Sequence, residues 1–305
     1  MAEQWNVEGS AVLTQTEIDQ RVFDLYDEYC HGDIDRREFL QRAGALTVGG
    51  VSALAMAQAL LPRYAQAQTI SFTDGRIKAR YVSYPSPGGS SGTMRGYLVQ
   101  PSGPGPFPAV LVIHKNRGLN PYIEDVARRA ATEGFVALAP DGLSPVGGYP
   151  GNDDEGRTLQ TGLDQAKLRT DMVNSARLLK GHALSTGKLG VTGFCWGGGT
   201  TNFLAVTLGA DMHAGVPFYG AAAETARVPA IKAPLLIQYA ETDERINTLW
   251  PAYEAALKAA GVSYEMHMYP GTQHGFHNNS TPRYHEPSAT LAWQRTIAFI
   301  KKHLA

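Results

Sequence analysis

From about residue 70 onward, apolar positions alternate between two rhythms. Short β-rich runs predict strands at 109–114, 135–139, 188–192, 214–219, 235–239 and 264–269. Between them, apolar residues three and four apart predict helices at 122–133, 163–180, 198–208, 248–260 and 288–303. Ahead of this series, 78–84 and 95–100 predict an antiparallel hairpin that turns in the Pro/Gly/Ser cluster 85–92. Strands alternating with helices build an α/β domain: a mostly parallel central sheet with helices on both faces, here expected over residues 68–305. The stretch 143–161, rich in Gly and Pro and carrying Asp153-Asp154, breaks the rhythm and predicts a functional surface loop.

Residues 1–67 follow a different pattern. Positions 1–35 are polar and acidic, with one amphipathic stretch of helical spacing at 18–29. Then come Arg36-Arg37, an apolar Gly/Ala-rich run at 43–61, and the small-residue site Ala65-Gln66-Ala67. That order predicts a Tat-type export signal cut after Ala67, a transient encounter with the Tat machinery, and a periplasmic or secreted body. Gly44, Gly49 and Gly50 make the run too mildly hydrophobic for a permanent span. The alternative is a cytoplasmic protein whose N-terminal arm stays attached and packs on the body or on a second subunit.

Composition narrows the partners. The 305 residues carry 27 Lys+Arg against 28 Asp+Glu, so no overall field draws the chain to nucleic acid or an anionic membrane. A small molecule is the expected partner. The two cysteines, Cys30 and Cys195, are too few for a disulfide framework and have no zinc-ligand spacing. No cofactor or metal is implied.

The chemistry concentrates around Cys195. Gly193-Phe194-Cys195-Trp196-Gly197 follows a predicted strand and opens a predicted helix, which is the pattern of a nucleophile elbow. Such a turn needs glycine two before and two after the nucleophile, because the flanking backbones approach too closely for side chains. It also sets Cys195 at a helix N-terminus, where a thiolate is favoured and the Trp196 N–H can face an oxyanion. A buried structural cysteine is the competing reading. In an α/β-hydrolase fold the acid follows a late strand and the base follows the last one. Asp243, after 235–239, is the expected acid, with Glu241 as fallback, and His274, after 264–269, the expected base. Asp243 as a mere helix cap is the bland alternative. His277 and His285 lack the carboxylates a metal site would need.

These residues resemble the dienelactone hydrolase family, cysteine-nucleophile members of the α/β-hydrolase fold, over about residues 75–303. The resemblance rests on Gly193-Phe194-Cys195-Trp196-Gly197-Gly198, Asp243, His274-Gly275-Phe276, Pro217-Phe218-Tyr219-Gly220 and Val112-Ile113-His114-Lys115-Asn116-Arg117-Gly118. It implies a second oxyanion N–H from Asn116. It also implies a glutamate beside the resting thiol, and Lys115 stands there instead. An inward ammonium would favour a standing thiolate. The family's substrate-binding arginine four residues after the base is replaced by Asn278, which leaves Arg157 and Arg283 as candidates for a substrate carboxylate. Lys115, Arg117, Tyr122, Arg157, Tyr219 and Phe276 are the pocket candidates, with Arg117 expected to pair with Asp125 or Glu124. The expected function is cofactor-free hydrolysis of a small ester or lactone through a Cys195 acyl-enzyme. A non-catalytic exported binding protein and a thiol redox sensor are the alternatives from other classes.

Overall fold

The computed structural model describes residues 20–31, 33–46, 64–90 and 92–305. Its helices are α1 (Gln20–His31), α2 (Arg36–Ala45), α3 (Tyr64–Ala67), α4 (Pro121–Thr132), α5 (Asp153–Thr161), α6 (Gln165–Lys180), α7 (Trp196–Leu208), α8 (Glu244–Asn247), α9 (Trp250–Ala259) and α10 (Glu286–Leu304). The strands are β1 (Ile77–Ser86), β2 (Gly92–Pro101), β3 (Phe107–Ile113), β4 (Val136–Asp141), β5 (Ser185–Phe194), β6 (Ala214–Phe218), β7 (Leu235–Thr242) and β8 (Tyr264–Gln273). They form one sheet in the order β1-β2-β4-β3-β5-β6-β7-β8. Strand β2 pairs antiparallel with β1 and β4, and all other pairs are parallel.

Burial explains the apolar runs. The central strands β3 and β4 are covered on both faces, so Ala109–Ile113 and Val136–Ala139 are all at most 1% exposed. One face packs under α4 and α10 through Ile123, Val126 and Ile300, the other under α6, α7 and α9 through Met172, Leu204 and Leu257. The stretch expected as a loop at 143–161 contains a helix. Asn152 caps α5 by accepting from the Glu155 N–H, and Asp153, Asp154 and Glu155 fill its first turn, where acidic side chains complement the helix dipole. Its short, largely polar sequence gives no apolar period to read.

At the N-terminus α1 and α2 fold against each other around Val22, Phe23, Tyr26, Tyr29, Ile34, Phe39 and Ala43. The arginine pair Arg36-Arg37 lies in the first turn of α2, behind the N-cap Asp35. The apolar run at 43–61 lies outside the described residues from position 47 onward. Helix α3, around the expected cleavage site, is tied to the body. The Tyr64 hydroxyl donates to Asp153 at 2.7 Å, and the Ala67 carbonyl accepts from the Asn279 amide at 2.7 Å. Among the described residues no helix is long and apolar enough to cross a membrane.

Candidate active site

Strand β5 ends at Phe194 and α7 begins at Trp196, so a single residue, Cys195, makes the turn with φ 56° and ψ −115°. A non-glycine residue at positive φ stores about 1–3 kcal/mol of strain and persists only where its surroundings over-determine it. Here the Cys195 N–H donates to the Phe218 carbonyl at 3.1 Å. A Cβ on Gly193 would sit 2.2 Å from the Gly197 carbonyl oxygen, and one on Gly197 2.4 Å from the Ile113 oxygen. These two glycines let the strand, the turn and β3 close on one another.

The ends of β7 and β8 bring two more groups to this turn. His274 Nδ1 lies 2.6 Å from Asp243 Oδ2, with both side chains buried. The ring also feels the Cys195 sulfur, with which His274 shares a cavity. Burial alone would lower the His274 pKa, but the Asp243 carboxylate and the Cys195 sulfur outweigh it and raise it to about 9. Glu241, the fallback acid, accepts instead from the Gly271 N–H at 2.7 Å. Arg283 fixes the histidine's backbone: its Nη1 donates to the His274 carbonyl at 2.7 Å and reaches Asp27 of α1 at 3.0 Å.

The segment after β3 forms the next wall. Lys115 is turned inward, its Nζ 5.2 Å from the centre of the Tyr122 ring, and it shares a small cavity with Cys195 and His274. His114 is buried and its pKa is lowered by that burial. It bonds the Lys115 carbonyl through Nδ1 and accepts the Gly142 N–H through Nε2 at 2.9 Å, which fixes the neutral tautomer with its proton on Nδ1. Its ring also stacks on Trp196 at 5.4 Å. Arg117 pairs with Asp153 at 3.1 Å rather than with Asp125 or Glu124. Asp125 is occupied by Arg129 and by the Thr69 and Ile70 N–H groups. Burial raises Asp153, but Arg117, Tyr64 and Tyr149 outweigh it and keep the carboxylate below its ordinary range.

Cys195 also lines a cleft of about 430 Å³, together with Asn116, Trp196, Phe203 and Ala222 among others. Arg169 and Arg227 sit over the Phe203 ring at 5.3 and 5.8 Å. None of the six expected pocket residues lines this cleft: Lys115 and Arg117 line the small cavity, and the other four lie outside both. Tyr122, Tyr219 and Phe276 are at most 2% exposed and pack beneath the site, Tyr219 with its ring 4.9 Å from that of His274. Tyr122 hydrogen-bonds His277 at 2.6 Å, which accounts for that histidine as a core group. Arg157 stacks on Tyr29 of α1 at 4.5 Å and bonds its carbonyl, so it anchors the N-terminal helices. The one sequence signal for Phe203 is its spacing: Trp196, Thr200 and Phe203 recur at helical intervals behind the elbow and share one face. His114 acts through backbone groups, which leaves no spacing signal, and Arg283, a candidate for a substrate carboxylate, instead holds the His274 carbonyl and Asp27.

Residues 94–304 match the profile of the dienelactone hydrolase family. The chain belongs to that family. A second profile, described as YqhI-like, matches residues 11–48. A protein of Escherichia coli K12 named "Putative hydrolase fragment YghX" is 61% identical over 115 residues, 37% of this chain and 97% of its own. Another, named "Putative carboxymethylenebutenolidase", is 31% identical over 250 residues, covering 75% of this chain and 89% of its own. The crystal structure titled "Putative Dienelactone Hydrolase" from Klebsiella pneumoniae superimposes with a TM-score of 0.65 at 29% identity, over 74% of this chain and 99% of that one. This dienelactone hydrolase family member is accordingly a hydrolase of the carboxylic ester or lactone class.

Proposed function

We propose that the chain hydrolyses its ester or lactone through a thioester on Cys195. The observation that supports this is the buried Asp243–His274 hydrogen bond beside Cys195, which shares a cavity with His274 and sits on an elbow at a helix N-terminus. The thiolate attacks the carbonyl carbon, and the N–H groups of Trp196 and Asn116 hold the tetrahedral oxyanion. His274 protonates the departing alkoxide, then takes a proton from the water that releases the acid. Asp243 orients the ring. The Lys115 ammonium, facing the same cavity, favours the standing thiolate and stands in for no acceptor that would hold a thiol proton. The test is a rapid acid quench during turnover of an activated ester, followed by peptide mass analysis. An acyl adduct on the Cys195 peptide is expected, and an adduct confined to another residue overturns the assignment.

The pH profile reports the same arrangement. His274 is raised from 6.5, so its charged form persists across the window from 6.5 to about 9 and is lost above it. The kcat/KM for acylation should fall along a single-proton limb centred near pH 9. Asp243→Asn should move that limb down by about one unit or more, because the carboxylate holding the ring's charge is gone. A limb that stays in place would assign it to a different group.

We also propose that the N-terminal arm is retained in the working enzyme. Support comes from the anchoring of Tyr29, Asp27 and Tyr64 on Arg157, Arg283 and Asp153. N-terminal sequencing of the protein from its native cell should find residues 1–67 present. A chain starting at Gln68, in a periplasmic or secreted fraction, would establish the export signal instead.

A further inference from the structure

Cys195 lines two cavities of very different size. The cleft of about 430 Å³ on the Trp196 and Phe203 side is spacious enough for an acyl group. The cavity that it shares with His274 measures about 30 Å³, room for a water molecule or two. His274 also lines a space of about 620 Å³ beside α1 that Cys195 does not reach, but of the two cavities that Cys195 lines only the small one contains His274. The base therefore handles protons on the cramped side. The roof there comes from α1: Tyr26, 3% exposed, lines the cavity, and Arg283 lies 4.5 Å over its ring while pairing with Asp27 at 3.0 Å. Gln20 of the same helix reaches Gln273, next to the base, at 3.2 Å.

We propose that Tyr26 sets the size of the alcohol portion the enzyme accepts, restricting it to esters of small alcohols such as methanol while the large cleft takes the acyl group. This rests on the Cys195 acyl-enzyme reading. In acylation the thiolate bonds to the carbonyl carbon, the C–OR bond breaks, and the alkoxide takes the proton of the His274 imidazolium. In deacylation a water gives a proton back to that nitrogen, its oxygen bonds to the carbonyl carbon, and the C–S bond breaks to restore the thiolate. Departing alcohol and entering water exchange protons with one nitrogen, so they occupy one place. That place is the small cavity, and a helix from the far end of the chain fixes its height.

The test uses full-length protein with methyl and benzyl esters of a single acid, whose leaving alcohols have similar basicity and differ in bulk. The wild type should prefer the methyl ester in kcat/KM by about tenfold or more. Tyr26→Ala should move the ratio toward the benzyl ester by about tenfold, mainly through gain on benzyl. Tyr26→Leu, which keeps an apolar roof, serves should the alanine variant not fold, with a smaller move in the same direction. Equal ratios in wild type and either folded variant overturn the proposal. Cys195→Ala, run alongside, separates the two readings: full methyl-ester turnover in it defeats the acyl-enzyme, whereas lost turnover together with an unmoved ratio defeats the Tyr26 assignment alone.

Discussion

Replacing Cys195 by alanine is expected to lower kcat for ester hydrolysis by about a thousandfold or more while leaving the fold intact. The size follows from what the thiol does. In the proposed mechanism it is the atom that bonds to the substrate, with His274 and Asp243 arranged beside it, so the acyl-enzyme cannot form once it is gone. Residual turnover would come from the oxyanion donors and from His274 acting on water directly. Stability should change by no more than about 1 kcal/mol, because the side chain is partly exposed at the cleft and alanine keeps the Cβ at the strained φ. Steady-state kinetics and a melting curve on the same preparation check both halves. Unchanged turnover would remove Cys195 from the reaction.

Gly193→Ala tests the scaffold and should show a contrasting signature. The new Cβ would lie 2.2 Å from the Gly197 carbonyl oxygen and 2.9 Å from Thr201 Oγ1. The first neighbour is backbone inside the first turn of α7, itself held against β3, so it has no side-chain freedom with which to yield. A loss of about 3 kcal/mol or more is expected, a fall in Tm of about 6 °C or more, together with most of the activity. A stable and active Gly193→Ala protein would mean that the turn relaxes around the methyl group, and that the elbow is less tightly determined than its contacts indicate.

Much of this architecture was legible in the residues. Parallel strands buried on both faces write themselves as apolar runs, which is why β3 to β8 could be found within a few positions. The elbow was legible because its backbone approach demands glycine at fixed offsets, and Asp243 and His274 followed from their places after β7 and β8. Helix α5 was hidden by its polarity. The pocket was misread for a similar reason: aromatic residues near a motif fill either a cleft or the core beneath it, and Tyr122, Tyr219 and Phe276 took the core. The docking of α1 on the site depends on pairs such as Asp27 with Arg283 and Tyr29 with Arg157, more than a hundred residues apart, for which the sequence carries no local pattern.

Those distant pairs impose a timetable on biosynthesis. Asp27 leaves the ribosome 256 residues before the arginine that clamps it. At about 5–20 residues per second, roughly 13–50 s pass before Arg283 is made. During that interval α1 and α2 have only their own apolar cluster to shelter Phe23, Tyr26 and Tyr29 from solvent. The last part of the chain to be translated supplies both His274 and the clamp, so under the proposed mechanism hydrolytic competence arrives in one step at the end of synthesis, and a nascent chain stalled before residue 274 is expected to be inert.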